Sequence, residues 1–142
     1  MSPALVAPNT RPSELTPSPT LVVLAAGLST RYGAVKPLAS VGPQGEALID
    51  YALYDAACSG YGDAILVVRR EIEAEVSRHV QKLTGGSWPC RFVCQRMDDL
   101  PDGVALAGGR AKPWGTGHAV WTGRHAVRGP FTVVNADDFY GR

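Results

Sequence analysis

At 142 residues, 45% hydrophobic and 19% charged, the chain has the size and composition of one domain with its own core, not of a disordered or fibrous polypeptide. Its 14 lysines and arginines stand against 13 aspartates and glutamates, and the formal net charge of +1 gives no electrostatic reason to expect nucleic acid or an anionic membrane as partner. The longest apolar run, Leu21 to Ala26, is far short of the roughly 20 residues that cross a bilayer, so no membrane association is expected.

In chain order, the first segment holds Pro3, Pro8, Pro12, Pro17 and Pro19 among serines and threonines. That composition buries too little apolar surface to offset ordering entropy, and residues 1–19 are expected to form a disordered tail. Met1 to Thr20 also lack the basic start and continuous apolar stretch of a secretory signal, which points to the cytoplasm. The folded part, residues 20–142, opens with LVVLAA, a run suited to a strand buried on both faces. A glycine- and proline-rich loop from Gly27 to Gly45 follows, and then a helix from about Leu48 to Ser59, with Gly60 placed to end it. DAILVV, Asp63 to Val68, reads as a second buried strand. A helix begins with Glu71, Glu73 and Glu75, where the dipole favours acids, and Gly85 and Gly86 stop it. A third strand is expected near Arg91 to Gln95, a helix from about Gly117 to Val127, and a fourth strand at FTVVN, Phe131 to Asn135. This alternation predicts a three-layer α/β fold with a mainly parallel sheet. Cys58, Cys90 and Cys94 are odd in number, and no companion pair completes a zinc site.

In such a fold ligands collect where strands end, and three post-strand segments are unusual. In AAGLSTRYGAVKP the small residues Ala25, Ala26 and Gly27 admit a ligand close to backbone, while Arg31 and Lys36 add two cations; the plainer reading is a loop with solvated basic residues. Neither the P-loop spacing nor the three-glycine dinucleotide pattern fits it. In KPWGTGHAV, Gly115, Thr116 and Gly117 lead into a helix, where the threonine hydroxyl either caps the helix or contacts a base. Trp114 there either packs on a base or closes over core, and His118 with His125 lacks a third metal ligand. In VVNADDFYG, Asp137 follows an apolar strand, where a carboxylate suits a magnesium ion whose other positions are filled by water and phosphate; an ordinary Asp-Asp turn is the alternative. Asp98, Asp99 and Asp102, beside Pro101 and Gly103, read as solvated turn acids.

Taken in order, LAAGLSTRYGAVKP, VGPQGEALIDYALYDA, KPWGTGHAV and VVNADDFYG resemble the sugar-phosphate nucleotidyltransferase family of NTP-transferase domains, over nearly all of Leu21 to Gly141. The resemblance implies a Rossmann-like nucleotidyltransferase fold. It implies that Ala25, Ala26 and Gly27 hold base and ribose, that Gly115 and Thr116 help recognise the base, and that Arg31 and Lys36 engage the phosphates as catalytic groups. It also implies that Asp137 binds Mg2+. The activity implied is transfer of a nucleotidyl group from a nucleoside triphosphate to a sugar 1-phosphate, with release of pyrophosphate. Family members continue well past this point, so the chain is expected to be the nucleotide-binding portion of a domain truncated at its C-terminus. Two further readings stand beside it: a non-catalytic nucleotide-binding module, and a transferase acting on a non-sugar phosphate. An exposed edge on the last strand would favour homo-oligomers.

Overall fold

Two runs of branched aliphatic residues make the centre of the molecule in a computed structural model that describes residues 17–27 and 35–141. Thr20–Leu24 forms strand β1 and Asp63–Val68 forms β2, and Val22, Val23 and Ala64 to Val68 are at most 1% exposed. Neither strand alternates polar with apolar residues, because helices cover both faces. Cys90–Cys94 forms β3 and Phe131–Asn135 forms β4; the sheet is parallel throughout, in the order β3-β2-β1-β4. Residues 1–16 of the expected tail lie outside the described residues. Pro19, the last residue of the expected tail, is tied to the fold, since its carbonyl accepts a hydrogen bond from the Gly62 amide at 3.0 Å.

Strand residues sort to the two faces by parity. Leu21, Val23, Ala64, Leu66 and Val68 pack with helices α1, Leu48–Cys58, and α2, Arg70–Thr84, through Ile49, Leu53, Ile72, Val76 and Val80. On the opposite face Val22 and Val67 pack with Ala119 of helix α3, Thr116–Thr122, and with Val127 and Val133. Helix α2 carries Glu71 and Glu73 in its first turn and Lys82 in its last, and it closes on Gly85 at φ +58°, a left-handed conformation that costs glycine nothing. Helix α1 starts where the Asp50 carboxylate accepts the Ala47 amide at 2.9 Å. The other oxygen of the same buried carboxylate lies 2.6 Å from His79 Nε2, joining α1 to α2. This tie has no signal in the apolar periodicity.

Helix α3 is shorter than the expected span to Val127. The Thr122 hydroxyl turns back to the His118 carbonyl at 3.0 Å, Gly123 follows, and Gly123–His125 continues as a 3-10 turn. A back-bonded threonine and a glycine are both poor helix propagators. Val127 nevertheless packs against the core, although the regular helix ends early. Among the described residues β4 pairs only with β1, and Phe131 on this edge is 47% exposed, matching the apolar edge expected from the sequence.

Candidate functional site

The strand order fixes where a ligand can sit. The chain runs outward from β1 through β2 to β3, then returns to place β4 on the other side of β1, which makes the β1–β4 boundary the topological switch point. The hydrogen-bond ladder continues one residue beyond the strands. The Ala25 amide donates to the Val67 carbonyl at 2.8 Å, the Ala136 amide to the Leu24 carbonyl at 3.0 Å, and the Gln95 amide to the Val68 carbonyl at 2.8 Å. Three loops are thereby held at fixed heights above the sheet.

A cleft of about 450 Å³ opens there, within the 300–1,000 Å³ common for small-molecule sites. Ala25, Ala26, Gly27, Lys36, Gly115, Thr116 and Asp137 all line it, so seven of the eight residues singled out from sequence share one cavity. Arg31, the eighth, lies outside the described residues. Asp138, Asn135, Gln95 and Trp114 also line it. Among the described residues, a Cβ added at Gly27 or Gly115 would meet no protein atom within 4 Å. Gly115 is the residue before the first turn of α3, and Thr116 is exposed, so the hydroxyl is not the helix cap.

Electrostatically the cleft is divided. Lys36, the first residue of a 3-10 turn at Lys36–Leu38, forms an ion pair with Asp137 in the loop after β4. Asp138 accepts a hydrogen bond from Asn135 Nδ2 at 2.8 Å, and the Asn135 amide donates to the Tyr140 hydroxyl at 2.7 Å. These bonds shape the Asp-Asp turn and commit Asp138 to the loop while Asp137 faces a cation. Among the described residues no group of three or more His, Cys, Asp or Glu side chains could hold a metal ion. A metal here must therefore take most of its ligands from water and phosphate, the usual habit of magnesium. Asp137, a single carboxylate lining the cleft, could supply the protein's one ligand to such an ion.

Of the acidic residues near Pro101, Asp98 and Asp102 are exposed turn residues as expected, whereas Asp99 is half-buried and paired with a distant arginine. Asp99 receives two hydrogen bonds from Arg124, at 2.9 and 2.7 Å, and Asp98 two from Arg96, at 3.0 and 2.6 Å. The Arg124 guanidinium holds the Asp99 carboxyl below the usual aspartate range against an opposing push from burial, and Arg96 does the same for Asp98. Their charges are already neutralised, whereas Asp102 is exposed. Cys90 and Cys94 are thiols pushed up to about 11, foremost by burial, with Asp63 adding to the rise at Cys90 and a Glu73 hydrogen bond at Cys94.

Gln95 was not distinguished by sequence, because a glutamine at a strand end carries no motif of its own. Its Nε2 lies 3.2 Å from the Trp114 carbonyl and 3.0 Å from His118 Nδ1. Trp114 is half-buried, donates from its indole to the Met97 carbonyl at 3.0 Å, and has the Arg110 guanidinium 3.7 Å above its ring. The ring thus closes over the loop and also borders the cleft.

A scan of protein-family models finds no match for the sequence, and neither does a search of curated proteins. Among solved structures, the chain matches UDP-glucose pyrophosphorylase complexed with UDP-glucose, at a TM-score of 0.56 and 21% identity, over 84% of this chain and 46% of that one. The fold is a Rossmann-like nucleotidyltransferase fold. The chain spans about half the length of the matched structure. Within this Rossmann-like parallel sheet, the cleft occupies the switch-point position that such sheets offer to ligands. Among the described residues no helix is long and apolar enough to cross a membrane.

Proposed function

We propose that this cleft binds a nucleoside triphosphate with Mg2+, and that the protein belongs to a nucleotidyltransferase that passes the nucleoside monophosphate to a phosphorylated small molecule, foremost a sugar 1-phosphate, releasing pyrophosphate. The observation that carries the reading is the convergence of Ala25 to Gly27, Lys36, Gly115, Thr116 and Asp137 from three separate loops onto one switch-point cleft. Room around Gly27 and Gly115 that no described residue claims supports close approach of a ligand to backbone.

Asp137 would hold the metal, which supplies charge neutralisation for a triphosphate. The chain's own contribution is positional and electrostatic. Lys36 stands where a polyphosphate would pass, and its ammonium offsets the negative charge that gathers when an acceptor phosphate oxygen attacks the α-phosphorus in line and pyrophosphate leaves. Arg31, by family resemblance, adds a second cation. The walls from Ala25 to Gly27 and from Gln95 to Thr116 would receive ribose and base. No side chain need become covalently attached.

The experiment is equilibrium binding of the four ribonucleoside triphosphates to the purified chain with and without Mg2+, followed by a pyrophosphate-release assay with sugar 1-phosphates and with alcohol phosphates. Mg2+-dependent binding supports the nucleotide site. Release with sugar phosphates identifies the acceptor class, release only with other phosphates shifts it, and binding without release marks a nucleotide-binding module. No binding of any triphosphate refutes the reading.

A further inference from the structure

Asp50 is the only buried carboxylate among the described residues, 7% exposed, and the proposed chemistry does not use it. A carboxylate is tolerated inside a protein only with donors around it. Its Oδ2 accepts the Ala47 amide at 2.9 Å, and its Oδ1 lies 2.6 Å from His79 Nε2, which must therefore carry a proton. Neither Asp50 nor His79 lines the cleft. The pair is connected to it through backbone.

Ala47, held by Asp50, forms an antiparallel bridge with Ser40, and the amides of Val41 and Gly42 both donate to the Glu46 carbonyl, at 2.8 and 2.9 Å. Residues 40–47 are thus a closed hairpin with the Ser40–Ala47 bridge at its base. Just before that base comes the 3-10 turn that carries Lys36, closed by the Leu38 amide on the Val35 carbonyl at 2.9 Å and the Ala39 amide on the Lys36 carbonyl at 3.1 Å. So short a turn has little stability of its own. It is held from below, where Pro37 is buried and Val35 and Leu38 pack on the core shared by α1 and α2, and from behind by the hairpin base. We infer that the Asp50–His79 pair is a positioning device for Lys36, an inference that rests on the reading of the cleft as a triphosphate site. His79 on α2 keeps the Asp50 carboxylate aimed at Ala47, Ala47 fixes the hairpin base, and the base sets where the Lys36 turn meets the cleft. Without His79 the carboxylate loses a donor and is drawn toward water, away from the Ala47 amide.

The test is calorimetric titration of magnesium–triphosphate into the full chain and into His79→Leu, His79→Gln, Lys36→Ala and the double variant His79→Leu with Lys36→Ala. Leucine fills the place of the ring without a donor, whereas glutamine retains an N–H near the position of Nε2. His79→Leu is expected to weaken binding by about threefold to tenfold, the effect of one hydrogen bond to a charged group, and His79→Gln to restore most of it. Because His79 acts through Lys36, the double variant should bind as Lys36→Ala alone does. Unaltered affinity in His79→Leu would overturn the positioning role. So would an equal loss with and without Lys36, which is what general loosening of the fold produces.

A second measurement needs no nucleotide. In native-state amide exchange of the wild-type chain, Ala39 and Ala47 should open together, with the same protection and the same response to denaturant, and in His79→Leu both should exchange about tenfold faster. Independent opening of the two amides in the wild type overturns the mechanical link, even where His79→Leu does not fold. Shared opening in a chain that binds no triphosphate leaves that link standing but refutes the nucleotide reading, and with it the role assigned through Lys36.

Discussion

Lys36 and Asp137, delivered by the loop after β1 and the loop after β4, form an ion pair across the mouth of the cleft. Both side chains are well exposed, at 48% and 38%, so the pair is held weakly, by up to about 1 kcal/mol. It balances charge across the cleft without locking it. On the proposed reading, a polyphosphate would offer Lys36 a better partner and a divalent cation would offer one to Asp137, so that the two ligands would relieve the same pair together. Replacing Lys36 with alanine should therefore have opposite effects on them. Bare Mn2+ used as a magnesium probe should bind more tightly, by at most about fivefold, while triphosphate affinity falls. Metal titrations followed by electron paramagnetic resonance, beside calorimetric nucleotide titrations, check both directions. Loss of both affinities would contradict the exchange.

The sheet was largely legible in the sequence because its central strands are unbroken aliphatic runs. Asp63 to Val68 and Phe131 to Asn135 were delimited by flanking Gly, Pro and Asp, and the structure has both with those bounds. The C-terminal part of α3 was less legible. The segment from about Gly117 to Val127 reads as one helix, while the back-bonding of Thr122 that turns its end into a 3-10 segment is a local competition that the sequence pattern does not record. Seven of the residues named from sequence line one cleft because they occupy the segments immediately after β1 and β4 or a glycine-marked loop, while Arg31 lies outside the described residues. Gln95 was missed, since its importance comes from the acceptors that Trp114 and His118 place around it. The pairing of Asp99 with Arg124, 25 residues away, was invisible for the same reason: it is a long-range contact between segments of unremarkable composition.

Leu66 tests the layered core. It is fully buried at the centre of β2, facing α1 and α2. Leu66→Ala is expected to cost about 2–5 kcal/mol in urea denaturation, from lost burial and the cavity left behind. Val41, 57% exposed, provides the control, and Val41→Ala should change stability by less than about 0.5 kcal/mol.

The Asp99–Arg124 pair should leave a mark on the acid limb of the stability curve. Arg124 lowers the Asp99 pKa in the folded chain, so this carboxylate contributes stability that is fully present above its unfolded value, near 3.9, and is lost as pH falls through the lower folded value. Asp99→Asn removes the charge at every pH. Thermal denaturation should show the variant less stable at about pH 6, with the difference shrinking progressively below about pH 4. A constant difference down to the acid end would mean that the pair adds no pH-linked stability.

The most direct measurement is Mg2+-dependent triphosphate binding by the wild-type chain, by Asp137→Ala and by Asp98→Ala, under one set of conditions. Asp137 lines the switch-point cleft opposite Lys36, whereas Asp98 is committed to Arg96. The expected result is that Asp137→Ala abolishes the magnesium-dependent component while Asp98→Ala leaves it nearly intact. Equal losses, or a magnesium response that survives Asp137→Ala, would contradict the placement of the cation and the charge balance on which the proposed transfer depends.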